Sequence, residues 1–185
     1  AANSAGVIVE KSRVHDWTQA AGSTDLRGIW LASGATNATV RKNTINGIYN
    51  RANNWWVYAI ESAVGAGSNL QCSNNMIYAL ESRAAGSSSN YVRGVYSSSS
   101  AASGEQYYYN SIYLYGVDSS TLSSTRSVGF EFTSTAPTNL TMKNNIVHNA
   151  TQHVGESGIH AYAVYFPVAT WPGTAVSNHN DWYAP

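Results

Sequence analysis

An acidic and aromatic column is the part of this sequence best suited to chemistry. Two glutamates and three aromatic residues recur at one position of an internal repeat. They are Trp30, Glu61, Tyr96, Glu131 and Tyr165. Aromatic rings offer flat apolar faces on which sugar rings stack, and carboxylates accept hydrogen bonds from sugar hydroxyls. One interpretation of this outward-facing column is therefore a glycan-binding surface.

The same column has two other interpretations. If successive repeats stack as strands, Glu61 and Glu131 lie two repeats, or about 10 Å, apart. That is near the upper end of the roughly 6.5–9.5 Å that separates the carboxylates of an inverting glycosidase. Alternatively, strand-forming aromatic residues and well-spaced charges decorate the outer face of a sheet without binding anything. We favour the last interpretation, in which the column is structural.

Histidine, aspartate and cysteine do not predict a metal or cofactor site. Four histidines occur close together in the sequence, but none recurs with the repeat and no cysteine or aspartate pair joins them. They are His148, His153, His160 and His179. We therefore expect surface or turn histidines and no cofactor. Cys72 is predicted to be a buried, inert thiol, and the run from Tyr107 to Tyr109 is expected to alternate into and out of a sheet.

An asparagine recurs along most of the chain and gives the period of the repeat. The residues are Asn43, Asn75, Asn110, Asn145 and Asn180. The steps between them are 32, 35, 35 and 35 residues, and Ser12 precedes the first by 31 residues. Two positions after each come Val14, Ile45, Ile77, Ile112, Val147 and Trp182. Three positions before each come Val9, Val40, Cys72, Tyr107, Met142 and, as an exception, Ser177.

A second motif begins 16 to 18 residues before each asparagine. It is RGIW at 27–30, YAIE at 58–61, RGVY at 93–96, VGFE at 128–131 and YAVY at 162–165. Alternation places Ile29 on the opposite face from Trp30, as in a half-buried strand. The residues equivalent to Ile29 form an apolar column of Ile60, Val95, Phe130 and Val164. Each repeat is thus predicted to hold two strand-like segments joined by polar turns.

These repeats predict a β-solenoid. A unit made of short strands and turns cannot bury its apolar side alone, so it must stack on its neighbours. Stacking places equivalent residues above one another, so the recurring asparagines are expected to form a ladder at a corner between two sheets. There, each side-chain amide forms hydrogen bonds with the backbone or with the next amide. We predict an all-β chain and one domain over residues 1–185, with about five to six coils and a period of 31–35 residues.

The stretch RGIWL…NATVRKNTI and its copies resemble the right-handed parallel β-helix repeats of pectate-lyase-like proteins. The resemblance is closest to the divergent, asparagine-rich repeats of bacterial cell-surface and secreted proteins, and it covers the chain from about Val7 to Trp182. It implies right-handed winding, which is also the general preference of parallel crossovers. The lyases and polygalacturonases of this group use clustered acidic residues, but no catalytic motif of theirs matches this sequence, so we expect a protein that is not an enzyme.

Charge and hydropathy restrict the partners. The net charge is zero and 11% of the residues are charged, so the basic surface that nucleic acid requires is absent. No apolar run approaches the roughly 20 residues of a membrane-spanning helix. Residues 1–20 lack the features of a signal peptide, so an export signal would have been removed or lie outside this sequence. The first functional hypothesis is an extracellular or cell-surface structural module, such as a filament, adhesin or surface-layer component. Its uncapped coil ends are expected to pair with other copies of the chain or with adjoining sequence of a longer solenoid, of which this chain would be a fragment or subunit. The alternative is a carbohydrate-binding or polysaccharide-degrading protein.

Overall fold

A computed structural model of the chain describes residues 4–22, 24–51, 55–82, 91–99, 103–118, 126–133, 139–153, 160–167 and 174–185. All regular elements within these residues are β strands, and the strands form three parallel sheets. The predicted all-β class and the solenoid arrangement are confirmed. No helix in the described part of the chain has the length and apolar character needed to cross a bilayer.

Each of the first five coils contributes one strand to each sheet, and the last coil contributes described strands to the first and second sheets. The first sheet contains β1 (Ile8–Glu10), β4 (Thr39–Arg41), β7 (Gln71–Ser73), β10 (Gln106–Tyr108), β13 (Thr141–Lys143) and β16 (Val176–Asn178). The second contains β2 (Arg13–Gln19), β5 (Thr44–Asn50), β8 (Met76–Ser82), β11 (Ser111–Asp118), β14 (Ile146–His153) and β17 (Asp181–Tyr183). The third contains β3 (Leu26–Leu31), β6 (Val57–Ser62), β9 (Tyr91–Ser97), β12 (Arg126–Phe132) and β15 (His160–Tyr165).

The coil therefore has three strands rather than the two predicted segments. The difference arises at the asparagine, where the second predicted segment bends into a three-residue strand of the first sheet and a longer strand of the second. The sheets are six, six and five strands deep. About four turns of the chain separate β3 from β15, slightly fewer than the five to six coils predicted. Right-handed winding stays a prediction.

The predicted apolar columns are the core of the solenoid. Ile29, Ile60, Val95, Phe130 and Val164 are paired in that order along the third sheet. The columns that flank the asparagine pair in the same way along the first and second sheets. Val40, Ile45 and Ile77 are each 0% exposed. Stacking at the strand spacing thus turns one apolar residue per coil into a continuous core.

A column of small residues in the third sheet keeps the coils close together. Gly28, Gly94 and Gly129 each lie within the motif that repeats in β3, β9 and β12. A Cβ atom added to any of them would lie 2.5–2.7 Å from a carbonyl oxygen of the next coil. Such a separation is shorter than real Cβ contacts, so a larger side chain would push the coils apart at this point.

Candidate functional site

The repeated asparagines form a hydrogen-bonded ladder along the corner between the first and second sheets. The Nδ2 group of Asn75 donates to Oδ1 of Asn110, 2.9 Å away, and to the carbonyl oxygen of Val40, 3.0 Å away. The backbone N–H of Asn75 donates to the same Oδ1 of Asn110 at 3.1 Å. The same pattern joins the other neighbours in the series, which is Asn43, Asn75, Asn110, Asn145 and Asn180.

The residue before each ladder asparagine has the unusual backbone conformation. Lys42, Asn74, Tyr109 and Asn144 have φ values of 57°, 54°, 56° and 55°, in the left-handed region. Asparagine tolerates this region better than most residues, which accounts for the first residue of the pairs at 74–75 and 144–145. Tyr109 is 58% exposed, so the expected alternation of the tyrosine run is wrong at this position. The corner turns it outward, whereas Tyr107 is fully buried.

The acidic and aromatic column of the third sheet is in register but is mostly not open to solvent. Trp30 pairs with Glu61, then Tyr96, Glu131 and Tyr165 follow in successive strands. Trp30 is 60% exposed, whereas Glu61 is 8% and Glu131 is 5% exposed. A face that alternation predicts to be outward is thus covered in its central coils. The proposed glycan-binding role of this column stays a prediction.

Each glutamate of this column is bound by an arginine from the preceding coil. Arg27 donates from Nε to Glu61, and its Nη2 contacts Asp25 at 3.1 Å. Arg93 donates from Nε and Nη2 to the two carboxylate oxygens of Glu131. The side chains of Arg93 and Glu131 are only 4% and 6% exposed. Charge-assisted hydrogen bonds within the solenoid thus occupy both carboxylates of the column.

Aromatic rings enclose the Arg93 guanidinium. Its central carbon lies 4.9 Å from the ring centre of Trp56, 5.0 Å from that of Tyr58 and 4.5 Å from that of Tyr96. These distances are within the range of cation–π attraction. Burial raises the pKa of both Tyr58 and Tyr96. Glu131 neutralises the charge of Arg93 and the aromatic rings surround it. The arrangement is therefore suited to holding the neighbouring strands together.

A buried carboxyl group inside the solenoid was not predicted. Glu105, just before β10, is 2% exposed. The hydroxyl groups of Ser62, Ser97 and Ser99 donate to its carboxylate oxygens at 2.8, 2.7 and 2.7 Å. Burial raises the pKa of Glu105, and the hydrogen bonds from Ser97, Ser99 and Ser62 oppose this shift.

The sequence does contain a signal for this cluster. The register of the first sheet aligns Glu105 with Leu70 and Leu140, both completely or almost completely buried. The serines that contact it come in part from the paired positions Ser62 and Ser97 at the ends of β6 and β9. A glutamate in an otherwise apolar inward position, opposite two stacked serines, therefore indicates a buried polar cluster.

The second sheet carries an exposed aromatic column on its outer face, which we call the aromatic strip. It consists of Tyr78, Tyr113, Tyr115, His148 and Tyr183. Tyr113, Tyr115 and Tyr183 are 47%, 46% and 50% exposed. The rings of Tyr113 and His148 are 5.3 Å apart, and those of His148 and Tyr183 are 4.5 Å apart.

Three of the four histidines and the cysteine have the exposure that the sequence predicts. His148, His160 and His179 are exposed, and the side chain of His153 lies outside the described part of the structure. Within the described residues, no group of His, Cys, Asp and Glu could hold a metal ion. Cys72 is fully buried, and burial raises the pKa of its thiol far above the ordinary value. A thiol held protonated in this way is a poor nucleophile.

Comparison with protein-family models, with curated proteins and with solved structures gives no match. The β-solenoid class therefore follows from the stacked strands and the asparagine ladder of this chain. The resemblance to the pectate-lyase-like group and to asparagine-rich surface proteins stays a prediction.

Proposed function

We propose that this chain is a structural β-solenoid module, extracellular or at a cell surface, that associates through the faces of its outermost coils. The observation that carries the proposal is that core positions are fully buried in the inner coils but only partly buried in the first coil. Val40, Cys72, Tyr107 and Met142 are each 0% exposed in the inner coils. Val9, at the same position of the first coil, is only partly buried. Covering the coil faces would complete the burial of the core.

The same faces expose strand edges and apolar side chains. The edge strands are β1 and β2 at one face and β16 and β17 at the other. Ile8 and Trp17 are 60% and 45% exposed at the first face, and Val176 and Tyr183 are 45% and 50% exposed at the second. Unpaired strand edges with apolar residues beside them are templates for pairing with another chain. Association would therefore pair the free backbone groups and cover the inward-facing Trp17, which is in register with the buried Ile48.

Sedimentation and electron microscopy of the purified chain over a concentration series test this function. We expect the mean mass to rise with concentration, because each junction buries two coil faces. Rods that lengthen along the solenoid axis should accompany the rise in mass. A chain that remains a single short rod throughout the series would contradict the proposal.

A second candidate function is binding of a polysaccharide on the aromatic strip. The specific observation in its favour is the exposure of Tyr113, Tyr115 and Tyr183 on one flat sheet face. Exposed aromatic rings offer apolar faces to sugars, and the tyrosine hydroxyl and histidine nitrogen atoms supply hydrogen-bonding groups. The residues paired with Tyr113 and Tyr115 in β14 are His148 and Ala150. This part of the strip carries no carboxylate and thus suits an uncharged glycan.

Retention on insoluble neutral polysaccharides distinguishes the two possible glycan faces. Replacing Tyr113 and Tyr115 with alanine should abolish retention if the aromatic strip is the binding surface. Replacing Trp30 and Tyr96 with alanine should abolish it if the column of the third sheet binds instead. Absence of retention for the unmodified chain would exclude this function for the polysaccharides tested.

A further inference from the structure

The columns of the solenoid begin and end with residues that match one another. The Ile8 column runs through the first sheet and ends at Val176, and the Arg13 column runs through the second sheet and ends at Asp181. Adding one more coil beyond β16 and β17 in the same register would place the first residue of each column beside the last. The strands would then be about 4.8 Å apart, as they are between ordinary neighbours in a sheet.

Arg13 and Asp181, at the two ends of one column, carry opposite charges that would meet at the junction. Both side chains are exposed, and neither belongs to an ion pair among the described residues. The column between them contains only uncharged residues: Thr44, Met76, Ser111 and Ile146. The only opposite charges of this column therefore lie at its two ends.

Apolar and aromatic residues match across the same junction. Ile8 is 60% exposed and Val176 is 45% exposed, and stacking would place these two apolar side chains next to each other on the outer face of the first sheet. Trp182 would lie beside the inward-facing position of Val14. Tyr183, whose ring already contacts His148 at 4.5 Å, would lie beside His15 and continue the aromatic strip.

We propose that the partner of each coil face is a second copy of this chain, stacked head to tail in the register that pairs Asp181 with Arg13 of the next copy. This inference rests on the proposed function and specifies its interface. A face-to-face arrangement of two like ends would not bring Arg13 and Asp181 together, because each of these residues lies at one end only. A head-to-tail interface does not close on itself, so the product is a filament.

The geometry of the filament follows from the strand counts. The first and second sheets are six strands deep, so one copy advances the filament by about 29 Å at the strand spacing. These two sheets continue across the junction.

Charge reversal at the two ends tests the register. The Arg13→Asp and Asp181→Arg variants should each lower the association constant about five- to tenfold at low salt, because attraction becomes repulsion at each junction. A mixture of the two variants should recover the wild-type constant, since every junction in alternating filaments again pairs Asp with Arg. Lys42→Asp, which reverses an exposed cation at a corner of the second coil, is the matched control and should leave association unchanged.

Sedimentation of the full chain and its variants gives the association constants, and circular dichroism checks that each variant keeps its strands. Wild-type association that neither reversal weakens would overturn this register while leaving the structural function intact. Weakened variants that do not recover on mixing would also overturn it, because the charges would then act within one copy. A wild-type chain that never associates would overturn the proposed function, and this inference with it.

Discussion

The outer faces of the second and third sheets use similar residues in opposite ways. Both faces carry aromatic residues in successive coils. On the third sheet, Tyr58 is 1% exposed and Arg93 is 4% exposed, and the arginine is bound to Glu131. On the second sheet, Tyr113 and Tyr115 are almost half exposed. The same alternation of strand residues therefore produces a covered face in one case and an open face in the other.

The comparison shows that side chains on the outer face of a solenoid sheet are not always exposed to solvent. On the third sheet, charges are neutralised across coils, as in the pair Arg93 and Glu131, and rings enclose the cation. On the second sheet, ring contacts run along the strip and leave the outer faces of the rings accessible. Stability should therefore depend on the outer residues of the third sheet more than on those of the second.

The largest expected effect contrasts the two sides of the second sheet itself. Ile77→Asp should unfold the chain, because an unpaired charge buried in the core costs several kcal/mol, a large part of the roughly 5–15 kcal/mol that stabilises a domain. The adjacent Tyr78→Asp, on the outer face, should cost about 1 kcal/mol or less. Thermal and denaturant unfolding followed by circular dichroism measure both. Equal stability of the two variants would contradict the assigned faces.

The next effect is expected on the third sheet. Arg93→Met should lower the free energy of unfolding by about 3–5 kcal/mol, since it leaves the buried Glu131 carboxylate without its guanidinium. Adding Glu131→Gln should recover part of this loss by removing the charge. Arg27→Met is the contrasting variant and should cost less than Arg93→Met, because the Arg27 side chain is 31% exposed and solvent screens this pair more strongly. Urea unfolding gives the free energy of unfolding of each variant. If Arg93→Met lowers it as little as Arg27→Met does, burial of the Arg93–Glu131 pair does not contribute to stability.

A pH-dependent effect is expected at Glu105, which bonds the ends of two strands of the third sheet. Burial raises its pKa above the ordinary value of 4.5, so the folded chain holds this proton more tightly than the unfolded chain. Its contribution to stability is fully present below pH 4.5 and is lost as the pH rises toward the folded-state pKa. Within that window the slope is at most about 1.4 kcal/mol per pH unit.

Glu105→Gln tests this contribution because the amide keeps an oxygen that can accept serine hydrogen bonds but has no proton to lose. The difference in unfolding free energy between the wild-type chain and this variant should change with pH just above 4.5. Measurements of both proteins by urea unfolding at several pH values provide the comparison. Parallel pH profiles would show that the carboxyl group is not preferentially protonated in the folded chain.

The smallest expected effect belongs to the aromatic strip. Tyr113→Ala should change the free energy of unfolding by about 1 kcal/mol or less, because the side chain is 47% exposed and loses mainly ring contacts with Tyr115 and His148. Tyr58→Ala, at a buried ring of the third sheet, is the contrasting variant and should cost about 3–5 kcal/mol. Similar losses of unfolding free energy for the two variants would contradict the difference in burial between the two outer faces.

The sequence predicted the columns well because a stacked repeat places equivalent residues in register. Ile29 and Ile60 are one coil apart in the chain and directly paired in the sheet. The sequence did not separate the short strands of the first sheet from those of the second, because the left-handed residue at the corner, such as Lys42, interrupts a pattern that otherwise looks continuous. It also missed Glu105, whose three serine partners come from positions 6 to 43 residues away.

What the sequence determined by itself is the period, the asparagine corner and the inward residues, since each follows from one position repeated along the chain. Only the tertiary structure decided which outer residues are covered. Glu61 and Glu131 are repeated like Trp30, yet they are buried while Trp30 is 60% exposed. The physical reason is that an outward side chain is buried only when partners from other coils cover it. Arg93, for example, lies 38 residues from Glu131. The local alternation of a strand does not encode such a contact.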